Sequence, residues 1–68
     1  MDEREENHFE TKAKLLSINS LTRIIILINA VYYKKLKKYV EQPNEETLKE
    51  LKSDETKLVI LNNLLHRN

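Results

Sequence analysis

Apolar residues crowd into one stretch of the chain, residues 21–33, which reads LTRIIILINAVYY and is broken only by Thr22, Arg23 and Asn29. Around it the pattern is helical. From Glu3 to Glu41 helix-forming residues dominate, with carboxylates at the start and lysines at 34–38, as the helix dipole favours. Pro43 ends this segment, because the residue before a proline avoids the α region. Asn44 then offers a side-chain oxygen to cap a new helix, with Glu45 and Glu46 in its first turn. The pattern predicts an all-α chain: a long helix, a short turn at 42–44, and a second helix to about Leu65. Together these form an antiparallel helical hairpin and a single domain over 1–68.

Two places test continuity. Ser17, Asn19, Ser20 and Thr22 form a cap-prone cluster that would split the first helix near residue 18 and release a separate short N-terminal helix. Weak propensity differences favour one continuous helix there. Ser53 and Asp54 could restart the second helix, but Leu51 and Leu58 share a face, and continuity is expected.

Helical angles locate the apolar faces. At about 100° per residue, with Leu21 at zero, Phe9, Ala13 and Leu16 fall at roughly 220–280°. Ile24, Leu27, Ile28 and Val31 fall at roughly 240–340°, and Ile25, Tyr32, Leu36, Tyr39 and Val40 at roughly 0–100°. Ile26 lies off both stripes. A heptad stripe drifts only about 20° per repeat, so a swing this large signals a change of neighbour. In the second helix Leu48, Leu51, Leu58, Leu61 and Leu65 form the main stripe, and Val59, Ile60 and Leu64 widen it in the last two turns.

Folding at the turn places Leu48 and Leu51 near Leu36, Tyr33 and Tyr39. Leu58 and Leu61 then meet the region of Ile24, Leu27 and Ile28, and Leu65 reaches about Leu21. Surplus apolar surface collects at the open end. The first helix overhangs there, carrying Phe9, Ala13, Leu15 and Leu16, and must either fold back as a third short helix or pack on another chain. The expected partner-binding set is Phe9, Ala13, Leu16, Ile24, Leu27, Ile60 and Leu64. Six to eight such side chains represent on the order of 10 kcal/mol gross, reduced by association costs.

Composition narrows the function classes. At 68 residues the chain has little core to spare. It has no cysteine and no glycine, which excludes disulfides, thiolate zinc sites and glycine-rich phosphate loops. The histidines His8 and His66 lack metal-ligand spacing, and no carboxylate pair or Ser-His-Asp spacing suggests catalysis. No enzyme, cofactor or metal is expected. The acidic start does not resemble a signal peptide. The apolar run is well short of the ~20 residues of a membrane span. A cytoplasmic location is expected.

Charge is balanced, 12 Lys and Arg against 11 Asp and Glu, for a net +1. Residues 1–10 are acidic, 34–38 basic and 41–55 acidic again. The string Tyr32-Tyr33-Lys34-Lys35-Leu36-Lys37-Lys38-Tyr39 mixes bases with aromatics. Lys34, Lys35, Lys37 and Lys38, with Arg23, form a candidate phosphate-binding set. Against this, lysines suit a helix C-terminus, tyrosines suit a half-buried seam, and segment 45–55 supplies acidic neighbours.

A long helix with an acidic start, a brief turn and a shorter leucine-rich helix resembles the small helical-hairpin co-chaperones of type III secretion needle subunits. The resemblance covers roughly residues 9–65 and is one of pattern, without a diagnostic motif. It implies a helical-repeat chaperone as partner, with Leu16, Ile60 and Leu64 as contact candidates. The expected function is therefore a non-catalytic protein-binding chaperone or adaptor that takes a helical partner. In isolation it is expected to be a homodimer with a four-helix arrangement, or a higher oligomer. The alternative is a small dimeric nucleic-acid-binding regulator.

Overall fold

The turn at Pro43 is built as its residues require. In the computed structural model, which describes residues 3–67, Gln42 closes one helix by donating its backbone N–H to the Lys38 carbonyl at 2.8 Å. Asn44 opens the next: its Oδ1 accepts from the Glu46 and Thr47 backbone N–H groups at 2.7 and 3.4 Å. Asp2, counted above in the acidic start, lies outside the described residues.

Three helices make up the described chain: α1 (Glu3–Ala13), α2 (Ile18–Glu41) and α3 (Glu45–Arg67). The all-α class is thus observed. α3 runs unbroken through Ser53 and Asp54. The expected continuity of the first helix is corrected, because the chain turns at 14–17. Leu15 and Leu16 donate to the Lys12 and Ala13 carbonyls in tight three-residue steps. Ser17 adopts an extended backbone (φ −71°, ψ 164°), and its Oγ accepts from the Ser20 N–H at 3.2 Å, capping α2. The cap satisfies a donor that a continuous helix would have bonded internally. The turn also lets α1 fold back and bury Ala13 and most of Phe9, which propensity alone does not weigh.

α2 and α3 run side by side in opposite directions, joined by Tyr32–Glu55 and Lys35–Asp54 contacts. α1 packs on α3. The buried core gathers at the end away from the 42–44 turn: Ala13 from α1, Leu21 from α2, and Leu61 and Leu64 from α3. Phe9, Ile24, Ile25, Ile28, Ile60 and Leu65 pack around them, half-buried. Leu51 is buried nearer the turn.

The Cα envelope measures 38 × 24 × 14 Å, a thin slab. The Cα atoms of one helix span about 4.6 Å across and packed helices stand about 8–10 Å apart, so the molecule is about two helices deep in its shortest direction. Such a shape cannot enclose every apolar side chain of α2. Leu27, expected to face α3, is 65% exposed, and Tyr33, expected beside Leu48 and Leu51, is 67% exposed. Both expectations are corrected: the contact with α3 runs through Ile28 and Tyr32, each one position from the exposed residue, and through Lys35.

Candidate protein-binding surface

α1 takes the place at the open end that the sequence left for a partner. Of the seven expected contact residues, Ala13 and Leu64 are buried by the chain itself, and Phe9, Ile24 and Ile60 are half-buried against the core. Leu16 and Leu27 remain exposed. Phe9 is steadied from α3, with the Lys57 Nζ 5.9 Å from its ring centroid, near the outer limit for a cation–π contact.

Because α1 leans on α3 rather than along α2, a groove stays open between α1 and α2. It is lined by Phe9, Lys12, Ala13, Leu16 and Ile24 and backed by Leu61, with a volume of about 200 Å³. Pockets for drug-sized ligands measure roughly 300–1,000 Å³. This one has room for one or two inserted side chains.

The groove does not end at Ile24. Leu27 and Val31, both exposed, follow on the same side of α2. Their spacing from Ile24, three and then four residues, is that of one helix face. Lys34 and Lys38 continue the row at the next two steps, and both are exposed. The stripe from Ile24 to Lys38 rises over about 14 residue steps, about 21 Å. It begins apolar and ends basic, with Lys12 at the groove mouth.

The five phosphate-binding candidates do not form one patch. Lys35 is half-buried and donates to Asp54 Oδ2 at 3.1 Å, so it is already neutralised. By helical angle, Arg23, Lys34 and Lys38 lie on the groove side and Lys37 nearer Ile26 and Tyr33. At the turn, Lys38 lines a polar cavity of about 530 Å³ together with Glu46 and Glu50. A third hollow, about 190 Å³, is lined by Ala13, Lys14, Leu21, Leu64 and Arg67 at the α1–α2 turn.

Two polar contacts on the α2–α3 seam escaped the sequence reading. Asp54 is buried, filling the gap in the leucine stripe between Leu51 and Leu58. Tyr32 donates its hydroxyl to Glu55 Oε1 at 2.6 Å. That hydrogen bond first, then desolvation and the carboxylate's charge, raises the phenol above its ordinary 10.0. The signal for the first pair was present: an acid on an otherwise apolar stripe facing a lysine on the opposed one.

Among the described residues, no three His, Cys, Asp or Glu side chains are grouped as metal ligands. No described helix is long and apolar enough to cross a membrane. The chain matches no known family model, and no curated protein or solved structure is significantly similar to it.

Proposed function

We propose that this protein is a non-catalytic interaction module, of the adaptor or small-chaperone kind, that receives an amphipathic helix along the α1–α2 groove and the adjoining face of α2. The observation that carries this reading is the row Leu16, Leu27 and Val31, exposed on either side of half-buried Ile24. A contiguous apolar face rimmed by polar groups marks an interaction surface, where single exposed leucines do not. Lys12, Lys34 and Lys38 along its edges select a partner helix with acidic flanks.

Magnitudes define the kind of complex. Leu16, Leu27 and Val31 are already partly covered, and burying what remains yields roughly 2–4 kcal/mol gross. Association costs fall in the range of about 4–15 kcal/mol. The apolar row alone therefore falls short, and the complex depends on the groove being filled and the basic rim engaged. A regulated, reversible partner fits better than a permanent one. The resemblance to type III secretion co-chaperones implies the same class of partner, a helical protein in the cytoplasm. Of the contacts it suggested, Leu16 is the exposed one, since Leu64 is buried and Ile60 half-buried.

Nucleic-acid binding has weaker support, because Asp54 removes Lys35 and the remaining bases divide between two sides of α2. Three phosphate contacts would lose roughly 40-fold in affinity between 50 and 200 mM salt. The two readings separate in one experiment. Affinity capture from the native host is run with the wild type and with Leu27→Glu/Val31→Glu, at low and physiological salt. The captured segment is then purified and its binding measured directly. A protein segment with an acidic amphipathic helix, retained at physiological salt and lost with the variant, is the expected result. Capture of nucleic acid, or binding indifferent to the variant, overturns the proposal.

A further inference from the structure

The opposite flank of α2 carries a second exposed apolar row. Ile26, Tyr33 and Val40 are all exposed and belong to neither the core nor the groove. They are seven residues apart, so they rise about 10.5 Å per step and drift only about 20° around the helix. Leu27 and Val31 lie on the order of 120–160° away. The Tyr33 ring is held in place: it meets Tyr32 edge to face, centroids 5.9 Å apart at 74°, and Tyr32 is itself tethered to Glu55. A large amphipathic ring fixed in the middle of an exposed row is a typical interface anchor.

We propose that two copies of the chain associate through this row, with their α2 helices antiparallel and crossing at Tyr33. The row is symmetric about its centre, which a two-fold interface requires. Ile26 of one copy meets Val40 of the second, and the reverse, while the two Tyr33 rings pack at the axis. Charge selects this direction. α2 has one acid, Glu41, and one base in its first half, Arg23; both are exposed and lie on the same edge of the row. Arg23 is ten residues before Tyr33 and Glu41 eight after it. Across the two-fold they come within two residues of level, about 3 Å, and pair twice. A parallel pairing would put the Arg23 and Glu41 edge of one copy against the Asn29 and Leu36 edge of the other, and neither pair would form. Lys37, beside the row, extends its ammonium past the edge into water.

The dimer differs from the four-helix packing expected at the open end, because α1 occupies that end. It brings two α2 and two α3 helices together with the α2 pair at the centre, and both grooves stay open. The proposal stands independently of what the groove binds.

The absence of cysteine from the chain makes cross-linking decisive. Under mild oxidation Tyr33→Cys is expected to form a covalent dimer. Ile26→Cys alone and Val40→Cys alone are not, since like positions lie roughly 21 Å apart across the axis, too far for a disulfide. A mixture of the two is expected to cross-link. Sedimentation of the unmodified chain should show a concentration-dependent dimer, weakened roughly ten-fold by Arg23→Glu and restored by Arg23→Glu/Glu41→Arg. A monomer at every concentration overturns the proposal. So does cross-linking of Ile26→Cys to itself, or a dimer abolished by Leu27→Glu but not by Ile26→Glu.

Discussion

Lys35 donates to Asp54 from within the apolar seam between α2 and α3, Nζ to Oδ2 at 3.1 Å. Each residue occupies a position on its helix where the pattern calls for an apolar side chain. Asp54 is 8% exposed, and Lys35 is half-buried. A pair so placed penalises any sliding of one helix along the other, because a slip leaves a buried carboxylate unpartnered. Lys35→Met should therefore cost about 1.5–3 kcal/mol. Lys35→Met with Asp54→Leu should recover most of the loss, as apolar replacement of buried pairs commonly does. Urea unfolding of the two variants checks this, and a double variant no better than the single would assign the pair a larger net stabilisation.

Tyr32 makes stability sensitive to alkali. Its phenol is raised above 10.0 chiefly by donating to Glu55, so the folded state holds the proton more tightly than the unfolded chain. The contribution is complete below the ordinary tyrosine range and is lost as pH rises through the raised value. Tyr32→Phe should lower stability at neutral pH and flatten its decline above pH 10.0. Near-ultraviolet absorbance follows the titration, because the chain has three tyrosines and no tryptophan.

The parts of the fold visible in the sequence were those set by local chemistry. Pro43 and Asn44 define the turn through a missing N–H and a capping oxygen, neither of which needs a neighbour to act. The break at Ser17 was a weaker signal. The capping cluster was legible, but helix propensities differ by only tenths of a kcal/mol per residue. The fold-back is decided by burial of Phe9 and Ala13, a tertiary gain. The swing of the apolar stripe implied a change of neighbour along α2, but Leu21, Ile25, Ile28, Tyr32, Leu36 and Tyr39 keep one covered face toward α3, and α1 packs on α3 instead. What separates Leu27 from Ile28, or Tyr33 from Tyr32, is 100° of rotation set by the packing of α3. Adjacent apolar residues do not encode that choice locally. The same holds for the site: its stripe was legible, while the division between buried Ala13 and Leu64 and open Leu16 and Leu27 depended on where α1 lands.

Ser17 should behave as a cap rather than a linker residue. Ser17→Ala removes the acceptor for the Ser20 N–H and should cost about 1 kcal/mol. Ser17→Asp should be neutral or slightly stabilising, since it keeps the acceptor and adds negative charge at a helix N-terminus. Hydrogen exchange would show faster exchange in the first turn of α2 for the alanine variant alone, with the α2–α3 seam unaffected.

Leu61 and Leu27 should separate folding from binding. Leu61 is 0% exposed and Leu27 65% exposed. Removing the Leu61 side chain to alanine opens a cavity between three helices and should cost about 2–5 kcal/mol. A chain of this size has roughly 3–10 kcal/mol in total, so Leu61→Ala should be largely unfolded or close to its midpoint at room temperature. Leu27→Ser should stay within about 0.5 kcal/mol of the wild type, as surface changes usually do. It should still lose partner binding. If Leu27→Ser unfolds the chain as Leu61→Ala does, the α2 face belongs to the core and the exposed stripe has no binding role. If it keeps both stability and binding, the partner contacts a different face.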